Sequence, residues 1–140
     1  MTISKSKFWQ SLDSFTKAYI ECLLWQAGED DKGNTIDSNY DQFSLTMESL
    51  KRIKADCEKF QKLAGDRITK EENYLLAIPH SIIEQAAHDF CLTRNHHGCG
   101  FWEEYDWKEE IGKKLTDLSH TFPPDNIFPR NKKILDAFAM

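Results

Sequence analysis

Apolar side chains recur every three or four residues along much of this chain, and this spacing most constrains its fold. The most regular stretch has apolar residues at Met47, Leu50, Ile53, Cys57, Phe60 and Leu63. That spacing places them on one face of an α-helix. Thr46 is a suitable helix start and Gly65 a natural stop. The sequence therefore predicts a helix over residues 46–64.

Similar patterns predict helices in other parts of the chain. Apolar residues from Phe8 to Leu24 follow one stripe and predict a first helix. Thr69 and Ser81 each precede a glutamate by three residues, the capping-box pattern that opens a helix. We expect the first of these helices to be short and the second to end near His88. A last helix is predicted over residues 107–122, before two prolines.

Two segments have features of β-hairpins. The β-favouring residues Phe90–Thr93 and Gly100–Trp102 flank a polar segment with turn-forming residues, which predicts an antiparallel hairpin. Two further short strands are expected at 127–128 and 134–135, around a turn at 129–132. The predicted fold class is therefore α+β: a mostly helical single domain over 1–140 with a small antiparallel β-hairpin or sheet.

Composition narrows the functional classes. Apolar residues make up 40% of the chain and the net charge is −5, as in a globular protein with no strongly basic nucleic-acid surface. No apolar run approaches the roughly 20 residues that cross a bilayer. The first seven residues lack a following apolar segment, so we expect no secretory signal. We expect a cytoplasmic protein with reduced cysteines, no membrane association and a protein partner rather than nucleic acid.

The loop from Glu29 to Asp41 is rich in acidic and turn-forming residues. An EF-hand calcium loop needs glycine at its sixth position and glutamate at its twelfth. Counting from Asp30 or Asp31, neither falls in place. We therefore expect a solvated turn.

The run from His88 to Glu103 carries the greatest concentration of chemically active side chains. In the predicted hairpin Cys91 and Cys99 point to opposite faces, and ligand pairs at zinc-site spacing are missing. Cys99 has His97 nearby, but no following helix start would activate its thiol. A loop one residue longer or shorter would bring the two cysteines to the same face, so a zinc site stays the alternative here. We predict no metal, no cofactor and no catalytic residue.

A structural role explains the polar residues of this run better. Arg94 supplies five donors and is expected to pair with Asp89 or Glu103. Together with His88 and Asn95, it would brace the end of the preceding helix against the hairpin. Gly98 and Gly100 would permit backbone angles or close approaches that other residues cannot adopt. His97 would lie at the exposed tip.

The same run resembles the motif HDFWLTRNGHGAGFWD, which belongs to a family of small uncharacterised proteins of bacteriophages, prophages and plasmids. The similarity extends over most of residues 15–120. The chain departs from the motif at Cys91, His96, Cys99 and Glu103. Both cysteines thus fall where the motif has none, which counts against a zinc or thiol site. The positions that match form the candidate binding or structural motif: His88, Asp89, Arg94, Asn95, His97, Gly98, Gly100, Phe101 and Trp102.

Two functional hypotheses follow. The resemblance implies a small protein of a mobile genetic element, and we expect it to bind a macromolecular partner, such as a host defence complex that it inhibits. The alternative is a small-ligand or nucleotide-processing enzyme that uses His88, Asp89, Arg94, Asn95 and His97. A deep pocket lined by these five residues would distinguish the enzyme from the binding protein.

Overall fold

The computed structural model describes residues 3–29, 32–77 and 80–140, and its fold is mostly helical α+β, as predicted. The α-helices are α1 (Lys5–Ser11), α2 (Ser14–Gln26), α3 (Ile36–Asn39), α4 (Met47–Ala64), α5 (Ile82–Arg94) and α6 (Glu109–Ser119). Short 3₁₀ turns cover Gln42–Ser44, Gly65–Ile68 and Glu71–Asn73. Strands β1 (Asp125–Pro129) and β2 (Leu135–Ala139) form an antiparallel pair. Within the described ranges no helix is both long and apolar enough to span a membrane.

Helix α4 confirms the prediction from apolar spacing. The Thr46 side chain accepts a hydrogen bond from the Ser49 amide at the start of the helix, and Gly65 ends it with a φ of 60°. Leu50, Ile53, Cys57 and Phe60 lie in the core. Leu63 is half-exposed, so its predicted place on the buried stripe is wrong.

The predicted first helix is divided in two. Leu12 has an extended backbone and separates α1 from α2. The carboxylate of Asp13 then accepts a 2.8 Å hydrogen bond from the Thr16 amide and caps α2. The capping interaction begins a second helix within one continuous apolar pattern.

The hairpin predicted from Phe90–Thr93 and Gly100–Trp102 is wrong. Helix α5 begins after the cap residue Ser81, as predicted, but continues through this segment to Arg94. His88 therefore lies inside the helix and not at its end. The only strands in the described part of the chain are β1 and β2, with Ile127 opposite Ala137. Strand β1 contains the predicted residues 127–128, whereas β2 begins at Leu135 and runs on to Ala139, so residue 134 of the predicted second strand lies outside it.

The remaining predicted elements are present in shorter form. The segment after Thr69 forms only the 3₁₀ turn Glu71–Asn73, and the last helix is confined to α6. Residues 36–39 of the acidic loop form α3. Asp30 and Asp31, the starting points considered for a calcium loop, lie outside the described residues.

Aromatic rings fill the centre of the core. Phe60 of α4 and Phe90 of α5 stack with ring centroids 4.0 Å apart, and Phe15 of α2 lies 5.7 Å from Phe60. The ring centroid of Phe101 lies 6.0 Å from that of Phe60. This cluster fixes the end of α5 and the loop that follows it, where the candidate motif lies.

Candidate functional site

Arg94, the last residue of α5, is completely buried, with 0% of its surface exposed. Its Nη2 donates to Oδ2 of Asp56 at 2.7 Å, and its Nε donates to the carbonyl oxygen of Pro123 at 2.7 Å. Its Nη1 donates to the hydroxyl of Tyr19 at 3.1 Å. The prediction that Arg94 pairs with Asp89 or Glu103 is therefore wrong.

A second arginine, Arg52, completes this network at its partly exposed edge. Arg52 contacts Asp56 through Nη1 at 2.9 Å and Asp125 through Nη2 at 2.6 Å. The hydroxyl of Tyr19 donates to Asp125 at 2.7 Å, and burial raises the pKa of Tyr19 well above its usual value, so it stays protonated. Two guanidinium groups thus balance two carboxylates, and the network joins α2, α4, α5 and β1.

Asn95 links the end of α5 to the sheet. Its Nδ2 donates to the carbonyl oxygen of Cys91 at 2.8 Å, and its Oδ1 accepts from the amide of Asp125 at 2.7 Å. Arg94 and Asn95 thus tie α5 to β1, and not to a hairpin of residues 90–102.

Asp89 makes separate contacts. Its Oδ2 accepts from Nε1 of Trp107 at 2.8 Å and from Nε2 of Gln85 at 3.2 Å. Burial raises the pKa of Asp89 to about 6, against the lowering effect of both hydrogen bonds. Asp89 therefore connects α5 to the loop before α6.

The two histidines of the candidate motif lie elsewhere. His88 is half-buried, with its ring centroid 5.6 Å from that of His80, and burial lowers its pKa. His97 is exposed on the loop after α5. The five polar residues of the enzyme hypothesis are thus divided among a buried ion network, a separate carboxylate and two histidines, and none of them lines the cleft described below.

The two glycines of the motif differ. Gly100 has a φ of 153°, and a Cβ atom there would lie 2.2 Å from Oγ1 of Thr93. That oxygen accepts the amide hydrogen of Phe101 at 3.0 Å, so Gly100 is needed for the close approach. No atom lies within 4 Å of a Cβ added at Gly98.

Phe101 and Trp102 lead into a surface cleft of about 580 Å³. Two main-chain hydrogen bonds join the segment of Leu75 to the loop before α6, from the Leu75 amide to the Asp106 carbonyl at 2.7 Å and from the Lys108 amide to the Asn73 carbonyl at 2.9 Å. Helix α6 forms one side of the cleft. The lining residues are Leu75, Phe101, Trp102, Glu103, Glu104, Tyr105, Trp107, Glu109, Gly112, Lys113, Thr116 and Asp117.

Large aromatic side chains are exposed at this cleft. Trp102 is 52% exposed and Tyr105 is 78% exposed. Tyr105 also has a φ of 72°, a conformation that is uncommon for a bulky residue. Exposed apolar groups beside a concave surface are typical of binding sites.

The cleft is acidic. Its lining includes the carboxylates of Glu103, Glu104, Glu109 and Asp117 but one cation, Lys113. Burial and the charge of Glu103 raise the pKa of the neighbouring Asp106. This surface was not predicted from the sequence, although aromatic and acidic residues are interspersed over residues 102–109.

Three cysteines, Cys57, Cys91 and Cys99, have raised pKa values that disfavour the thiolate. Cys57 and Cys91 are buried free thiols, and burial raises the pKa of both well above the usual value. Burial also raises the pKa of Cys99. In the ranges that the structure describes, no three His, Cys, Asp or Glu side chains are grouped to hold a metal.

No family model, curated protein or solved structure matches this chain. A functional assignment therefore depends on the residues themselves, and the resemblance to phage and plasmid proteins stays a prediction.

Proposed function

We propose that this protein acts by binding a partner protein through the cleft between the 102–107 loop and α6. The observation that carries the proposal is the exposure of Trp102 and Tyr105 beside a concave surface. Tryptophan and tyrosine are the residues most enriched where protein interfaces gain their binding energy. A mobile-element protein that inhibits a host defence complex fits this mode of action.

The polar residues of the motif contact other parts of the fold, whereas its exposed aromatic residue Trp102 lines the cleft, and this separation favours binding over catalysis. Arg94 and Asn95 have their polar atoms engaged with α2, α4 and β1, and Asp89 is engaged with Trp107. Enzymes instead bring their acid, base and substrate-binding groups to one cavity. The polar residues therefore hold the scaffold, and the aromatic residues that follow them form the contact surface.

The test compares two exposed aromatic sites in a pull-down from bacterial lysate. The Trp102→Ala/Tyr105→Ala variant removes the cleft aromatics, and Trp25→Ala is the control, because Trp25 is 64% exposed and lies outside the cleft. We expect saturable capture of a protein by the parent and by Trp25→Ala, and its loss in the double variant. Equal capture by all three proteins, or capture by none, would contradict the proposal.

A further inference from the structure

We infer that the cleft recognises arginine or lysine side chains of a basic peptide segment in the partner. This inference rests on the proposed function and specifies the chemistry of the occupant. Its basis is that carboxylates and exposed aromatic rings line the same concave surface.

The net charge of the cleft lining determines whether it attracts a positively or a negatively charged occupant. Four carboxylates and one lysine give the cleft lining a net charge of about −3, from a count of its ionisable side chains at neutral pH. Complementary charge speeds the encounter and rejects partners of the same sign. A phosphate backbone would be repelled, whereas a basic segment would be attracted.

The aromatic residues add a preference for cations beyond simple attraction. The faces of tryptophan and tyrosine rings carry negative potential, and they bind guanidinium and ammonium groups. Trp102 and Tyr105 present such rings to solvent beside Glu103 and Glu104. Long basic side chains satisfy both features, because their apolar stems can pack on Leu75 while their charged ends reach the carboxylates.

The size of the cleft favours a short segment. A volume of about 580 Å³ lies within the range of pockets that hold small ligands or a few side chains. We therefore expect the cleft to accept one or two basic side chains of an extended peptide, with the rest of the partner contacting the rim.

The experiment is calorimetric titration of the full chain at low salt with a hexa-arginine peptide. A hexa-citrulline peptide is the neutral match, because citrulline keeps the shape of arginine but lacks its charge. Hexa-lysine separates a general cation preference from a guanidinium preference, and a single-stranded DNA oligonucleotide tests the opposite charge. We expect binding of hexa-arginine, hexa-lysine or both, and no binding of hexa-citrulline or DNA.

Matched variants separate the cleft from the overall charge. Glu104→Gln/Asp117→Asn and Glu21→Gln/Glu29→Gln each remove two negative charges from the net −5, but only the first pair lines the cleft. All four side chains are exposed, so both variants should fold, and circular dichroism melts verify this. We expect the cleft pair to weaken hexa-arginine binding about tenfold and the control pair less than twofold, with Trp102→Ala causing a loss of about threefold.

The outcomes distinguish this inference from the proposed function. Equal weakening by the two charge variants would show diffuse attraction and overturn the inference. Tight binding of hexa-citrulline or DNA would also overturn it. Where the inference is overturned but Trp102→Ala/Tyr105→Ala still loses the partner captured from lysate, the proposed function stands and the cleft binds a different occupant. Where the double variant retains that partner, the inference and the proposed function both fail.

Discussion

The indole Nε1 of Trp107 donates a 2.8 Å hydrogen bond to the carboxylate of Asp89, and this bond connects helix α5 to the wall of the acidic cleft. Trp107 is buried behind Phe101, with ring centroids 5.4 Å apart. The candidate motif is therefore in direct contact with the residues that line the cleft. Residues that brace the fold also set the position of the aromatic surface.

Asp89→Asn is expected to change how stability depends on pH. The raised pKa of about 6 means that the folded chain retains a proton that the unfolded chain releases near pH 4. The contribution of neutral Asp89 to the free energy of unfolding of the parent should therefore be complete below about pH 4. That free energy should fall by about 2–3 kcal/mol as the pH rises to about 7. An asparagine oxygen in place of Oδ2 can accept both hydrogen bonds without the charge.

Urea unfolding of the parent and Asp89→Asn between about pH 4 and pH 7 measures this effect. The advantage of the variant should grow with pH. The negative charges of Asp106 and Glu103 contribute to the raised pKa of Asp89, and their repulsion of an ionised Asp89 is present only in the parent, so it is part of the measured difference. A difference that stays constant with pH would exclude this role for Asp89.

Arg94→Ala is expected to destabilise the protein by about 2–4 kcal/mol, because it leaves buried Asp125 and partly buried Asp56 without one of their two cations. Arg130→Ala is the matched control. Arg130 is 57% exposed and pairs with Asp136, so its loss should cost less than about 1 kcal/mol. Thermal melts compare the two, and equal stability of Arg94→Ala and the parent would show that the network does not stabilise the fold.

His97→Ala should change stability by less than about 0.5 kcal/mol, because the side chain is exposed. Chemical denaturation at neutral pH provides the measurement. A loss comparable with that of Arg94→Ala would reveal a structural contact at the loop.

Gly112→Ala should destabilise the protein although alanine favours helices. A Cβ atom at Gly112 of α6 would lie 2.7 Å from the carbonyl oxygen of Phe101, so the backbone beside the cleft must shift. We expect a cost of about 1–3 kcal/mol, typical of overpacking. Gly98→Ala, which meets no atom within 4 Å, serves as the control. Melts that show Gly112→Ala to be as stable as Gly98→Ala would mean that the contact relaxes freely.

Local sequence signals were sufficient for some elements and insufficient for others. Helix α4 is exposed on one side, so its apolar period and its cap Thr46 were visible in the sequence. The last five residues of α5, from Phe90 to Arg94, are all buried, and no polar face reveals their helical period. Their β-favouring side chains therefore led to the wrong hairpin.

The candidate site was predictable only in part, because its contacts are distant in sequence. Arg94 was recognised as a brace, but its partner Asp56 lies 38 residues away and no local pattern identifies it. The aromatic and acidic residues over 102–109 were visible, whereas the cleft also requires Leu75 and α6 to come together in the fold.

The most direct test is a ¹H–¹⁵N correlation spectrum of the full chain during titration with hexa-arginine. If basic side chains bind in the cleft, the signals that shift will belong to residues that line it. These are Trp102, including its indole, Tyr105, and Lys113 and Asp117 of α6. The indole of Trp25 and the amide of His97 should not move. Shifts centred on His97 or on β1 and β2, with the cleft signals unchanged, would contradict the assignment of the cleft as the site that binds basic side chains.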